Sequence, residues 1–448
     1  MIPKTVVRLV VCILIFSAAT YAIAATPPNI IIIVADDMGY ADLSCYGNNR
    51  YETPHLDRLA REGLRFTDFH SNGAVCSPTR AALLTGRYQQ RSGVTEVVFA
   101  DPARGKRDEH GLKATEITFA KVLQAAGHRT ALMGKWHLGY APKFNPRHHG
   151  FDEFRGYVSG NVDYQSHIDQ AGFPDWWRDL ALADELGYST HLITRHAVRF
   201  IEENRARPFC LYVAHETAHA PYQGPGDPPV RGPQAKPAVK GPEIARAYRE
   251  MMQEMDKGVG EIVSTLRRLQ LVENTFVFFC SDNGGTREGN NGPLNGHKGS
   301  VWEGGHRVAA IAWWPGRIKP GVTAQTALTM DLMPTMLELA QVPVPRGHKL
   351  DGVSLTPLLL EGKPLADRTL FWGYTERFAV RQGPWKLIVN QPAGEAAKGK
   401  AKKDAVGASL FNLASDLSEK TDLSAREPER VRQLEAALAA WRREVTPR

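Results

Sequence analysis

With 448 residues, 43% of them hydrophobic and 23% charged, the chain has the composition of a globular protein with room for two or three domains, which excludes disorder. The formal net charge of +7 comes from dispersed lysines and arginines. No nucleic-acid motif accompanies them, and an anionic substrate accounts for the charge at least as well as nucleic acid, so no nucleic-acid partner is expected.

Lys4 and Arg8 precede an apolar run over 9–19 and the small-residue end Ala22-Ile23-Ala24. This is the pattern of a signal peptide over 1–24, cleaved before Ala25, and hence of a periplasmic or secreted protein. The run is too short to span a membrane, and Cys12 lacks the small residue that precedes a lipidated cysteine, so no stable membrane anchor is expected. The absence of any Asn-x-Ser/Thr sequon favours a bacterial exported protein over a glycosylated one.

Residues 29–35 (Asn-Ile-Ile-Ile-Ile-Val-Ala) read as a strand buried on both faces of a parallel sheet. Asp36 and Asp37 follow at its C-terminal end, the edge where open α/β sheets bind ligands. Adjacent carboxylates there repel unless a cation neutralises them, the alternative being two solvated turn aspartates. Thr53-Pro54 opens a short helix to Gly63, and 64–69 reads as the next strand. It leads to Ala74-Val75-Cys76-Ser77-Pro78-Thr79-Arg80-Ala81-Ala82-Leu83-Leu84-Thr85-Gly86. Pro78 suits the first turn of a helix and residues 81–84 are good helix formers, which places Cys76 just before a helix N-terminus. The helix dipole and Arg80 are expected to lower the thiol pKa and to favour an anion there, against the alternative of a buried structural thiol.

A helix over 116–126 ends at Gly127, and a strand over 129–133 runs into Gly134-Lys135-Trp136-His137-Leu138-Gly139. The strand over 208–214 precedes His215-Glu216-Thr217-Ala218-His219, the spelling of a zinc-protease motif. That motif needs a helix to bring both histidines to one face; here it follows a strand and meets Pro221, so zinc is rejected. A Pro-rich loop over 223–242 and an amphipathic helix over 243–271 lead to a strand over 274–280, ending in Ser281-Asp282-Asn283-Gly284-Gly285. His297-Lys298-Gly299 and Trp302-Glu303-Gly304-Gly305 follow, then a helix over 331–340. Beyond 360 come short strands over 369–374, 378–381 and 386–389 and a final helix over 428–445, with an Ala/Lys/Gly-rich mobile loop over 392–407. Cys210 and Cys280 read as buried thiols, and with Cys45 they make no disulfide framework.

Cys-x-Pro-x-Arg at 76–80 with the following Ala-Ala-Leu-Leu-Thr-Gly resembles the signature of the type I sulfatases, and Gly-Lys-Trp-His at 134–137 resembles the core of that family's second signature, from which His128 and Met133 depart. The resemblance spans nearly all of the chain after the leader and is strongest over 29–139 and 276–314. It implies an alkaline-phosphatase-like α/β fold: a large mixed, mostly parallel sheet sandwiched by helices over 25–360, and a small C-terminal antiparallel-sheet-plus-helix subdomain over 361–448. It implies hydrolysis of sulfate monoesters of sugars, amino sugars of the glycosaminoglycan kind, or aryl alcohols to the alcohol and inorganic sulfate.

By the same resemblance, a formylglycine-generating maturation enzyme converts Cys76 to formylglycine (3-oxoalanine), whose hydrate attacks sulfur. Asp36, Asp37, residue 76, Asp282 and Asn283 match the family's metal ligands, an all-oxygen set suited to one Ca2+ ahead of Mg2+ or zinc. No organic cofactor is implied. Arg80, Lys135, His137, His219 and Lys298 match its catalytic residues, with Lys135, His219 and Lys298 on the sulfate and His215 a structural neighbour. Residues 156–167 resemble the loop over the substrate in N-acetylgalactosamine sulfatases, so Asp163 and His167 are candidates to meet sugar hydroxyls, and Trp176 and Trp177 to stack on a ring. Two readings compete: a phosphate or phosphonate ester hydrolase of the same superfamily, and a non-catalytic binder of sulfated glycan with Cys76 unmodified.

Overall fold

The computed structural model describes residues 27–99, 109–390 and 407–446. The expected leader and all but the end of the expected loop over 392–407 lie outside the described residues.

Asn29–Ala35 forms β1, every residue of it buried. Its side chains alternate between two cores: Ile30, Ile32 and Val34 enter one, and Ile31, Ile33 and Ala35 the other. Each buried isoleucine stabilises the fold by about 1.5–3 kcal/mol, which makes β1 a natural centre. Next along the chain are β2 (Leu64–His70), β3 (Arg129–Lys135), β4 (Glu153–Tyr157), β5 (Trp177–Arg178), β6 (Ala181–Leu182), β7 (Phe209–Ala214), β8 (Thr275–Ser281), β9 (Arg307–Trp313), β10 (Gly321–Thr323) and β11 (Ala327–Leu328). They build an eleven-stranded sheet in the order β10-β2-β9-β8-β1-β7-β3-β4-β5-β6, with β11 also on β2.

β1 pairs in parallel with β7 and β8, and β3 in parallel with β7 and β4, whereas β9 is antiparallel to β2 and β8. The C-terminal ends of β1, β3, β7 and β8 therefore share one edge, where side chains leaving the strands converge. Helices Pro54–Glu62, Ser189–Asn204 and Pro242–Arg268 cover one face. Helices Cys76–Thr85, Phe119–Ala125 and Leu332–Leu339 cover the other.

Several elements differ from the sequence expectation. The helix expected over 116–126 is Phe119–Ala125, because Thr118 accepts from Lys121 N at 3.2 Å and caps it there. The helix expected over 243–271 is Pro242–Arg268. Helix Ser189–Asn204 and strand β9 have no counterpart in that expectation.

A second sheet holds β12 (Thr369–Tyr374), β13 (Arg377–Gln382), β14 (Trp385–Val389) and β15 (Ala408–Asn412), antiparallel in that order. β15, also unanticipated, completes it, and Leu434, Leu438 and Trp441 of helix Pro428–Val445 share its core. Buried charge joins the two sheets. Lys386 of β14 lies 2.8 Å from both Glu303 and Glu419 and 3.1 Å from His306 Nε2. Arg381 of β13 lies 2.7 Å from Asp68 of β2.

Lys386→Met leaves the buried Glu419 carboxylate without its cation and Glu303 with Arg307 alone, at 3.2 Å. It is expected to cost about 3–5 kcal/mol, read as a lower urea midpoint at unchanged m-value. An unaltered midpoint would mean that the cluster does not clamp the sheets.

Candidate active site

Asp36 and Asp37 leave β1 and Asp282 leaves β8, and the register Ala35↔Ser281 sets Asp36 beside Asp282. Lys135 ends β3, and His137 follows it. Asp37 and His137 both adopt left-handed backbone, at φ 61° and 55°. Such a conformation costs a non-glycine residue about 1–2 kcal/mol, so surrounding contacts hold both in place.

Helix Cys76–Thr85 is buried along its whole length, and Cys76 is its first residue instead of the residue before it. Gly73 N donates to Thr79 Oγ1 at 3.0 Å and Val98 N to Ser77 Oγ at 3.1 Å, which pins the approach to residue 76. Arg80 donates to Asp282 Oδ2 through Nε at 3.0 Å and Nη2 at 2.8 Å, and through Nη1 to Lys135 O at 3.3 Å and the Tyr212 hydroxyl at 3.4 Å. The expectation of a lowered thiol pKa is corrected here. Burial pushes the Cys76 thiol up, and Asp36 and Asp282 add to that, outweighing Lys135 and Lys298.

Each cationic head is matched to a carboxylate. Lys135 Nζ bonds Asp36 Oδ2, and Lys298 Nζ lies 2.7 Å from Asp37 Oδ1. Burial and the neighbouring Asp282 push the Asp36 carboxyl up to about 8. Burial works the same way on Asp37, but Lys298 and a hydrogen bond from Asn283 outweigh it and hold that carboxyl well below the usual range. Lys298 is kept protonated by Asp37 against the effect of its own burial.

The two histidines are held neutral in defined tautomers. His137 Nε2 donates to Val98 O at 2.8 Å, leaving a buried Nδ1 with no partner among the described residues. Burial, then Lys135 and Arg80, hold this imidazole well below its ordinary pKa. His219 Nδ1 donates to Ala220 O at 2.6 Å, so Nε2 faces Asp37 Oδ2 at 3.7 Å as an acceptor. Burial and Lys298 push His219 down to about 3.

Asp36 Oδ1 and Asn283 Oδ1 are buried without a hydrogen-bond partner among the described residues. An orphaned buried oxygen costs about 1–3 kcal/mol. One ligand atom each from Asp36, Cys76 and Asp282 lies within 4.8 Å of the others, and Asn283 Nδ2 donates to Asp37 Oδ1 at 2.8 Å. Three carboxylates and an amide oxygen in one place fit a hard divalent cation, which would satisfy both orphans. The thiol is the one soft member of the set. A second group of metal-ligand type, His70, Glu303 and His306, already contains the Lys386 ammonium and closes on itself through hydrogen bonds.

Asp163 and His167 serve their loop, which corrects their expected contact with sugar. The Asp163 carboxylate is fully buried and accepts from the backbone N–H of Gln165, Ser166, Val230 and Arg231, which uses its four lone-pair sites. His167 stacks on Trp176 at 4.4 Å and bonds Gly187 O through Nε2. Trp176 is thereby buried, and the Trp177 indole donates to Asp175. His215 and Glu216 are buried in irregular chain after β7, with Glu216 accepting from Val162 N at 2.7 Å. Sequence reasoning missed the Val98 carbonyl that orients His137 and the Tyr212 hydroxyl on Arg80. A backbone carbonyl carries no residue signature, and Tyr212 reads only as a strand residue.

The sulfatase family model matches residues 28–342, a span that holds all of these site residues. The N-acetylgalactosamine-6-sulfatase of Canis lupus familiaris is 37% identical over 389 residues, covering 80% of this chain and 71% of that protein. Arylsulfatase A of Homo sapiens is 36% identical over 414 residues, covering 83% and 77%. Among solved structures, Ps i-CgsB in complex with k-i-k-neocarrahexaose superposes with a TM-score of 0.80 at 30% identity, covering 93% of each chain. The arrangement of strands, charges and orphaned oxygens and the extent of these matches lead to one conclusion: the chain belongs to the sulfatase family and is a sulfuric ester hydrolase of alkaline-phosphatase-like fold.

Proposed function

We propose that the protein is an exported sulfatase that hydrolyses sulfate monoesters of sugars through formylglycine at position 76. The observation that carries this reading is the pair of orphaned buried oxygens on Asp36 and Asn283 within a cluster that also contains Cys76, Arg80 and Lys135. The names of the relatives support a sulfated sugar, including an amino sugar, with aryl sulfates as small surrogates. Export, to the periplasm or medium of a bacterium, rests on the leader pattern; no helix among the described residues is long and apolar enough to cross a membrane.

Asp36, Asp37, Asp282, Asn283 and an oxygen of modified residue 76 would hold one Ca2+. When bound, the ion supplies positive charge beside the sulfuryl oxygens and the nucleophile. Residue 76, converted by the maturation enzyme and hydrated, offers one of two geminal hydroxyls to sulfur in line with the ester oxygen, its proton passing to the adjacent Asp282 carboxylate. The S–O bond to the alcohol breaks as the new one forms. Arg80, Lys135 and Lys298 stabilise the charge on the sulfuryl oxygens. Lys298, held protonated, is the donor for the departing alkoxide. His219, neutral with Nε2 as an acceptor, orients the ester and carries that proton only if the bound anion first raises its pKa. His137 Nδ1 then accepts the proton of the second hydroxyl, the C–O bond to sulfate breaks, and the aldehyde returns.

Four outcomes are expected. In protein made with a maturation system, the tryptic peptide 66–80 shows loss of the elements of hydrogen sulfide with gain of one oxygen, together with sulfate release from 4-nitrophenyl sulfate. Cys76→Ala lowers turnover by more than about a thousandfold; full activity there, or on an unmodified thiol, would refute the mechanism. His137→Ala releases one equivalent of alcohol and stops, with the sulfuryl group retained on peptide 66–80, whereas steady turnover at the unaltered rate would remove His137 from its role. Dialysis against EGTA abolishes activity and lowers the thermal midpoint, and Ca2+ restores both. Insensitivity of both readouts would exclude the ion.

A further inference from the structure

His137 acts only in the second half of the reaction, when Nδ1 accepts the proton of the remaining hydroxyl on residue 76. The imidazole must meet that hydroxyl in a defined place, although its own backbone is in the left-handed region and has to be held there by contacts. Two contacts bear on the ring, both at the end away from Nδ1. Val98 O accepts from Nε2 at 2.8 Å. The backbone of Gly160 closes on the same end: a Cβ at residue 160 would lie 2.7 Å from Nε2 and 2.8 Å from Cε1, nearer than a side chain can approach without displacing the ring.

Tyr140, buried on the same turn as His137, reaches both contacts with one atom. Its hydroxyl donates to Val98 O at 3.2 Å and accepts from Gly160 N at 3.0 Å. A phenol has one proton to give and lone pairs to receive, so the two bonds are compatible and their directions are fixed. Each contact also has an anchor elsewhere. Val98 N donates to Ser77 Oγ at 3.1 Å, and Asp175 accepts from Val158 N at 3.1 Å and Ser159 N at 2.8 Å, just ahead of Gly160. The Tyr140 hydroxyl is where the segment that follows helix Cys76–Thr85 and the loop over 156–167 are joined across the end of the His137 ring.

We infer that Tyr140 is a positioning residue for the second half-reaction: its hydroxyl joins Val98 and Gly160 into one clamp on the Nε2 end of His137, and the clamp sets where Nδ1 meets residue 76. The inference rests on the formylglycine reading and deepens it. Transfer of the sulfuryl group to residue 76 uses Arg80, Lys135, Lys298 and Asp282 and does not pass through His137. Loosening the clamp therefore slows release of sulfate from residue 76 and spares its loading.

The test measures two rate constants on matured protein with 4-nitrophenyl sulfate: release of 4-nitrophenol in the first turnover, and loss of the sulfuryl group from peptide 66–80 once substrate is removed, followed by mass. Wild type, Tyr140→Phe and Gly160→Ala are compared, with His137→Ala as reference. Tyr140→Phe keeps the ring and deletes the hydroxyl. Gly160→Ala needs no left-handed backbone, and its methyl meets the His137 ring first. Tyr140→Phe is expected to slow loss of the sulfuryl group about tenfold, the effect of one good hydrogen bond, and Gly160→Ala at least as much. The first-turnover rate of both variants is expected to stay within about twofold of wild type. In Tyr140→Phe, slowing of both steps alike or of neither overturns the assignment, because a merely structural role has no reason to single out one step. Wild-type rates in Gly160→Ala overturn it as well, since the ring would then not be clamped there. If His137→Ala carries no sulfuryl group on peptide 66–80 while the wild type turns over, the formylglycine reading fails, and the assignment with it.

Discussion

Three carboxylates, Asp36, Asp37 and Asp282, share a site from which water is nearly excluded, and the rest of the structure answers that constraint. Two unit charges 4 Å apart at an effective dielectric constant of about 20 repel by about 4 kcal/mol, and burial adds a desolvation cost for each. The protein meets this with three cations from three separate elements. Arg80 comes from a helix, Lys135 from the end of β3 and Lys298 from a loop after β8. The pairing is one to one, so the carboxylates decide how much of each cation's charge is left to meet an anion. Even so, two oxygens stay unsatisfied among the described residues, on Asp36 and Asn283. A site this costly persists only where the surrounding fold over-determines it.

That over-determination comes from the centre of the sheet. β1 is buried on both faces and is flanked by two parallel neighbours whose registers leave no freedom to slip, because a one-residue shift would exchange the contents of the two cores. Strands locked in this way deliver Asp36, Lys135 and Asp282 to the same edge without help from flexible loops. Helix Cys76–Thr85 then packs into the edge with every residue buried, and Arg80 ties it to the strand end at Asp282. Two contacts on one carboxylate oxygen set the depth of the helix, and the helix sets the position of residue 76.

The parts of this arrangement that were legible in the sequence are those with local signatures. β1 and helix Pro428–Val445 were readable to the residue from a β-branched run and an apolar repeat with Pro at the start. Helix Ser189–Asn204 carries its own repeat in Leu192, Ile193, Ala197, Phe200 and Ile201, but the polar residues between them, among them Thr194, Arg195 and His196, diluted the signal. The state of the Cys76 thiol was not legible. The sequence displays a helix start and an arginine, whereas the carboxylates that oppose them arrive from β1 and β8. Asp163 shows the same limit: two of its four donors come from Val230 and Arg231, and only the folded chain shows that its acceptors are used up.

At the Val98 carbonyl the constraint narrows to a single atom. It accepts from His137 Nε2 at 2.8 Å and from the Tyr140 hydroxyl at 3.2 Å, while Val98 N donates to Ser77. Burial and the adjacent cations keep the imidazole neutral, but neutrality alone leaves two tautomers. The carbonyl selects between them, since only an Nε2–H can donate to it, and the lone pair is left on Nδ1. Because the selecting group is backbone, no side-chain replacement at residue 98 deletes it, and its position depends on how the stretch of chain from Val94 to Val98 is held between helix Cys76–Thr85 and the His137 turn. The electrostatics of the carboxylates and the tautomer of the histidine are thus set by the same packing: the helix that orients Arg80 also anchors, through Ser77, the carbonyl that orients His137.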